Sequence, residues 1–254
     1  MLSKIIRSLK YRKKMSEYGI FYIFKNQFDL SNLKVRNQRI RVAIPESEKE
    51  TLGYELYSIL INDCYHLSSL DKSIKTVLDV GANIGLFTIA ASYYFPNATI
   101  HAYEPNPRIE SYLEHNCLSV KAKYFLEAIG LNDSWVNLNF GENSLHTITS
   151  SAQTSFNTTK CTAFNHAIKR LSQNGKIDLV KLDCEGVEWQ LFEDIESWSK
   201  VRFLTMEYHL WAEPGYSLDD LFKCFEKINF SVVAHQASDS GQWGLIQAQN
   251  KAFC

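Results

Sequence analysis

Three short stretches hold side chains whose types and spacing could do chemistry. The first is "DVGANIG", Asp79 to Gly85. It is a D-x-G-x-N-x-G elbow, with apolar Val77, Leu78 and Val80 before and around its start and helically spaced apolar residues after it. The second is "AYEPNP", in which Glu104 ends an apolar run and Pro105 and Pro107 stop it. The third is "KLDCEGVEW", which sets Asp183, Glu185 and Glu188 close together around the turn-permitting Gly186. A fourth element, "MEYH", places Glu207 two residues before His209, so that on a strand the two share a face. Carboxylates and an imidazole of this kind are the usual means of taking a proton from a reacting hydroxyl, an effect worth about 10²–10⁴-fold in rate. Glu188 reads differently: it falls in the first turn of the following helix, where an acid serves the helix dipole.

The elbow restricts what is bound. A phosphate loop needs G-x-x-x-x-G-K-[ST], but Leu86 and Phe87 stand where the second glycine and the lysine belong. A dinucleotide fingerprint needs G-x-G-x-x-G, but Asn83 and Leu86 occupy its second and third glycine sites. Asn83 puts a side chain where a pyrophosphate would need bare backbone. A smaller ligand suits the elbow: Gly81 and Gly85 turn tightly, Asn83 tolerates positive φ, and the helix N-terminus holds a carboxylate. Asp79 offers a negative charge for an amine or sulfonium. Glu104, about 20 residues on, can accept both hydroxyls of a ribose, an interaction shared with NAD. An amino-acid-bearing nucleoside combines these groups, so the expected cofactor is S-adenosyl-L-methionine, with Asp79, Gly81, Asn83, Gly85 and Glu104 at its site. Methyl transfer from a sulfonium is an in-line displacement, and Asp183, Glu185 and His209 are the candidate bases. Asp183 with Glu207 or His209 could also hold a divalent metal ion that acidifies the hydroxyl, although no spacing requires one.

These residues need a scaffold. From about Ile74 the chain alternates strand and helix. Strands are expected at Thr76–Val80, Thr99–Glu104, Ala122–Gly130, Ile177–Asp183 and Val201–Leu210. Helices are expected from Gly85, at Pro107–Leu118, Phe164–Leu171 and Val187–Ile195, and from an N-cap at Ser217 to Ile228. An insertion of hairpin type runs from about 131 to 162. "FSVVAHQ" and "QWGLIQAQ" are joined only by a polar turn, so one strand of an otherwise parallel sheet must be reversed. Before Ile74 lies an irregular leader. It holds a small hairpin with its turn at Asn37-Gln38 and a helical stretch from Tyr54 to Leu67. Residues 1–70 are read as an extension or cap, and 71–254 as the catalytic domain.

The composition is that of an ordinary soluble chain: 45% hydrophobic, 22% charged, net charge −1. That balance argues against coating a nucleic acid. The six cysteines are scattered without a C-x-x-C, which suits core thiols in a reducing, cytoplasmic setting. No apolar run reaches the length of a membrane span. The basic start, "MLSKIIRSLKYRKKM", has an apolar helical face. A weak membrane-surface contact is one reading; a solvated or partner-docking helix is the favoured one.

"VLDVGANIG", "AYEPNP" and "IDLVKLDCEGVEWQLFEDI", in this order, resemble the FkbM family of S-adenosylmethionine-dependent methyltransferases over roughly Val77–Leu210. The resemblance implies a class I methyltransferase (Rossmann-like) α/β fold: seven strands, mostly parallel, with a reversed C-terminal strand. It also implies methylation most often of a hydroxyl, on sugars or natural products of polyketide type. One departure is that the family usually has Leu-Asp at the start of the helix before the fourth strand, where this chain has Phe164-Asn165. Two other functions fit the same residues: a catalytically inactive binding or scaffold protein of this fold, and an NAD-linked oxidoreductase.

Overall fold

The computed structural model describes residues 12–13, 15–22, 28–140, 147–151, 158–184, 186–212 and 215–253. The apolar face of the basic N-terminal stretch, Leu2 to Leu9, and the candidate base Glu185 lie outside the described residues.

The catalytic scaffold is a seven-stranded sheet. In the leader come β1 (Phe21–Tyr22), β2 (Phe28–Asp29), β3 (Leu33–Val35), β4 (Gln38–Ile40) and helix α1 (Lys49–Leu60). Then follow β5 (Thr76–Val80), α2 (Leu86–Tyr94), β6 (Thr99–Tyr103), α3 (Glu110–Ser119) and β7 (Lys123–Phe125). A second sheet is formed by β8 (Ala128–Gly130), β9 (Ser134–Phe140), β10 (Thr147–Ser151) and β11 (Thr158–Ala163). The chain returns to the main sheet through α4 (Phe164–Leu171), β12 (Ile177–Leu182), α5 (Glu188–Leu191), α6 (Ile195–Trp198) and β13 (Val201–His209). It ends with α7 (Leu218–Lys227), β14 (Phe230–Ala237) and β15 (Trp243–Asn250).

The main sheet runs β14-β15-β13-β12-β5-β6-β7. All neighbours pair in parallel except β15, which is antiparallel to both β13 and β14. The order changes direction between β5 and β12. There the connections leave to opposite sides, and the carboxyl ends of the strands open a crevice for a ligand.

Each face of the sheet has its own apolar cluster. On one side α2 packs with the leader: Leu33, Val35, Leu52 and Leu56 share a buried cluster with Ile84, Phe87 and Ile89. On the other, Trp198 is fully buried among Phe164, Phe192 and Phe230, and its indole Nε1 donates to Leu191 O at 2.8 Å. The start of α7 is closed by a capping box, in which Ser217 and Asp220 each bond the other's backbone N–H.

Several elements differ from the expected boundaries. The leader hairpin turns at Arg36-Asn37 (φ 49° and 62°), because two consecutive left-handed residues match the twist of a tight hairpin. Helix α1 occupies 49–60 instead of 54–67. Beyond it Asp63 takes a left-handed conformation and its carboxylate accepts the N–H groups of Leu67 and Ser68. The strand expected at Ala122–Gly130 is divided between the two sheets, as β7 and β8. The helix expected at Val187–Ile195 is two single turns. The second is capped by Asp194, whose carboxylate accepts Ser197 N–H.

Candidate active site

The elbow follows β5 directly, and its conformation explains its composition. Gly81, Asn83 and Gly85 all have positive φ, at 72°, 49° and 85°. Gly81 is needed for space as well. A Cβ there would lie 1.7 Å from the Asp183 carbonyl oxygen, because the ends of β5 and β12 are side by side. The N–H groups of Gly81 and Ala82 both donate to Tyr103 O, at 3.0 Å each, which ties the elbow to the end of β6.

Glu104 completes this cradle. Its Oε2 accepts Asn83 N–H and its Oε1 accepts Asn106 N–H, both at 2.9 Å. Each oxygen keeps a second lone pair. Burial pushes the Glu104 carboxyl up to about 7, although the two backbone N–H groups oppose the shift. The Asn83 amide oxygen is buried with no hydrogen-bond partner.

Asp79 is fully buried next to the elbow. It accepts Thr88 Oγ1–H at 2.6 Å and faces the Lys181 ammonium at 3.4 Å. Lys181, which the sequence patterns do not single out, is the hub of this layer. It is buried, lies 3.4 Å from Asp183 Oδ2, and donates to Gly81 O at 2.6 Å. Burial alone would lower its pKa, but the carboxylates of Asp183 and Asp79 outweigh that and raise it. Burial pushes the Asp79 carboxyl up, with Lys181 and Thr88 acting against it. The signal for Lys181 is its spacing: on a strand, positions 179, 181 and 183 share a face, so a lysine two before Asp183 must lie beside it.

At the ends of β12 and β13, Asp183, Glu207 and His209 come together, with one ligand-type atom from each inside a 4.8 Å spread. His209 Nε2 is 3.3 Å from Glu207 Oε1, and its Nδ1 is 3.3 Å from Glu188 Oε1. Glu188 therefore does more than serve a helix dipole. It is buried, and its other oxygen accepts Gly186 N–H. Burial would lower the His209 pKa, but the Glu188 and Glu207 carboxylates push it up to about 10. The three residues line a cleft of about 590 Å³. Its wall includes Asn83 of the elbow, Thr51, Tyr54 and Ser58 of α1, and Trp243 of β15. Trp211 leans on the His209 ring with centroids 5.4 Å apart, and Tyr216 packs on Trp189 at 4.5 Å.

Two of the three candidate bases, Asp183 and His209, thus meet in one cleft, and four of the five candidate cofactor residues form one cradle next to it. Asp79 supports that cradle from below. Asn165, where the resemblance expects an acid, opens α4 with its amide oxygen buried and unpartnered.

A mostly parallel sheet with one reversed strand, a glycine elbow after its first strand in the chain and an acid following the next one define a class I S-adenosylmethionine-dependent methyltransferase. Residues 79–232 match the Methyltransferase FkbM domain, which is more than half of the chain. The protein belongs to this family and is a methyltransferase. It is 28% identical over 247 residues to Methyltransferase sdnD of Sordaria araneosa, covering 82% of this chain and 93% of that one. It is 27% identical over 177 residues to Methyltransferase 1 of Beauveria bassiana (strain ARSEF 2860), covering 59% and 70%. Among solved structures, magnesium protoporphyrin IX methyltransferase from Synechocystis PCC 6803 with bound SAM superimposes with a TM-score of 0.47 and 11% identity, over 82% of this chain and 86% of that one. Among the described residues no helix is long and apolar enough to cross a membrane.

Proposed function

We propose that the protein methylates a hydroxyl oxygen of a sugar or natural-product acceptor. The observation that carries this reading is the cleft: Asp183, Glu207 and His209 converge in it directly beside Asn83 of the elbow. The carboxylates of Asp183 and Glu207 would be set, as proton acceptors, next to the place where a methyl donor ends. An oxygen acceptor must lose its proton as the new bond forms, so such a cluster suits it.

The residues present fit S-adenosylmethionine. The elbow and the N-terminus of α2 would receive its amino-acid end, with the unpartnered Asn83 oxygen as an acceptor for its ammonium. Glu104 would take the ribose hydroxyls on its free lone pairs. When bound, the cofactor supplies a methyl group already activated by its sulfonium. The protein's own share is placement. Lys181 joins the elbow to Asp183, so donor cradle and base keep one geometry. Alignment of this kind can supply roughly 7–11 kcal/mol of the barrier in favourable cases. The walls of the cleft (Tyr54, Trp243) offer faces for an acceptor ring.

Labelled-methyl transfer from S-adenosylmethionine to glycan and small-molecule fractions of the source organism tests this. The expected product is an alkali-stable methyl ether. Thermal stabilisation by S-adenosylhomocysteine without labelling of any hydroxyl would point to an inactive binding protein. Stabilisation by NAD alone would point to an oxidoreductase.

A further inference from the structure

We propose that Asp183, Glu207 and His209 form a binding site for one divalent metal ion. The inference deepens the O-methylation reading and rests on it only for what the ion would do to an acceptor.

Three observations lead there. The first is convergence. Two carboxylates and an imidazole arrive from the ends of two adjacent parallel strands, and their ligand-type atoms lie within 4.8 Å of one another. A common centre at about 2.0–2.2 Å from each donor needs neighbouring donors roughly 3–3.5 Å apart. The Glu207 Oε1 to His209 Nε2 distance, 3.3 Å, is in that range.

The second is the outer partner of the histidine. Glu188 is buried and faces His209 Nδ1. With the Nδ1 proton held by a buried carboxylate, a metal ion would displace the proton on Nε2, the nitrogen that faces Glu207. Metal-ligating histidines are commonly oriented by a carboxylate in this way. Glu188 is fixed in turn by Gly186 N–H and the Cys184 thiol. It is therefore available to orient the ring but not to ligate.

The third is charge. The residues lining the cleft include the carboxylates of Glu55, Asp183 and Glu207, with no Lys or Arg among them. Lys181 lies beneath the floor, where its partners are Asp79, Asp183 and the elbow carbonyl of Gly81. A cleft so lined favours a cation. The volume of the cleft, about 590 Å³, leaves room for solvent or acceptor oxygens to complete its coordination.

Two oxygens and one imidazole nitrogen suit Mn²⁺, Fe²⁺, Co²⁺ or Zn²⁺ better than an all-oxygen Mg²⁺ cage. Against the cleft wall, such an ion would hold an acceptor hydroxyl beside the elbow and make it more acidic.

The test needs no turnover. Chelator-treated full-length protein is titrated with Mn²⁺, and free Mn²⁺ is followed by electron paramagnetic resonance. One ion per chain is expected, with nitrogen coupling from a single imidazole in the pulsed spectrum. Asp183→Asn and His209→Gln should each abolish stoichiometric binding. Glu188→Gln should weaken it by about 10- to 100-fold, as loss of an outer orienting group does. S-adenosylhomocysteine stabilisation in each variant verifies folding, and Gln236→Ala, in the cleft wall, should bind as wild type. Absence of stoichiometric Mn²⁺, Co²⁺ and Zn²⁺ binding by the wild-type protein would overturn the proposal. So would binding without nitrogen coupling, or binding unchanged in both ligand variants. Chelator-resistant hydroxyl methylation at full rate would remove the ion's role in the reaction and leave the methylation reading intact. Metal binding with no methylated hydroxyl would do the reverse.

Discussion

Replacing Lys181 by methionine keeps most of the side chain's volume and removes its charge. The consequence follows from where its partners are. Asp79 has no exposed surface, and among the described residues its carboxylate faces the Thr88 hydroxyl and the Lys181 ammonium. Asp183 is partly exposed, so water takes over much of the lost interaction there. Removing one partner of a buried ion pair typically costs about 3–5 kcal/mol, because the other charge is left uncompensated. For a chain of this length that corresponds to a fall of about 6–20 °C in Tm. Lys181 also donates to Gly81 O, so the elbow loses an anchor and S-adenosylhomocysteine affinity should fall as well. The assay is urea unfolding of wild type, Lys181→Met, Asp79→Asn and the double variant. The two sites are in contact, so the cycle should be non-additive, with the double variant recovering about 2 kcal/mol or more relative to the sum. A loss below about 1 kcal/mol for Lys181→Met, or strict additivity, would refute the argument that a buried charge pair supports the elbow.

Gly81→Ala should abolish S-adenosylhomocysteine binding in a thermal-shift assay, because its Cβ would overlap the Asp183 carbonyl and its φ is positive; wild-type binding would show that β5 and β12 can separate. S-adenosylhomocysteine affinity should rise with pH. With Glu104 near pKa 7 and ribose hydroxyls donating to the ionised form, calorimetry at pH 6 and pH 8 should differ by about ten-fold. The same raised pKa has the opposite sign for folding. The native state binds the extra proton between the ordinary carboxylate range and about 7, so this group's contribution to stability falls as pH rises across that window. Glu104→Gln should weaken the cofactor and remove the pH slope, since its NH₂ group must confront Asn83 N–H or Asn106 N–H. Asp183→Asn should lower methyl transfer by about 10²–10⁴-fold while S-adenosylhomocysteine binding is largely kept; an unchanged rate would move the chemistry to the other cleft residues.

The readable part of the sequence was the part governed by local rules. The change from strand to helical period at Gly81–Gly85, the acid ending β6, the reversed strand after a polar turn and the Ser217 cap each depend on neighbours within a few residues. Lys181 was also readable, by its spacing from Asp183, but a lysine inside an apolar strand draws no attention until its partners are known. The pairing of Glu188 with His209 joins residues 21 apart and had no local signature. Glu188 therefore read as a dipole acid. The leader was hard for another reason. Its strands are two or three residues long, too short to show a period, and Leu33, Val35 and Ile40 of β3 and β4 are buried in one cluster with α2.

The interior position of β5 in the sheet has a consequence for synthesis. β5 pairs on one edge with β6, which follows it closely in sequence, but its other edge is completed by β12, about 100 residues later. At a ribosomal rate of about 5–20 residues per second, that edge stays open for roughly 5–20 s. It carries Val77, Leu78 and Val80, an apolar strand with unpaired backbone groups, which is the kind of surface that pairs with other nascent chains. The interval is occupied by β8 to β11, which form a sheet among themselves and do not compete for that edge. The junction of β5 and β12, where the elbow and Asp183 lie side by side, is therefore the seam at which the two halves of the sheet meet.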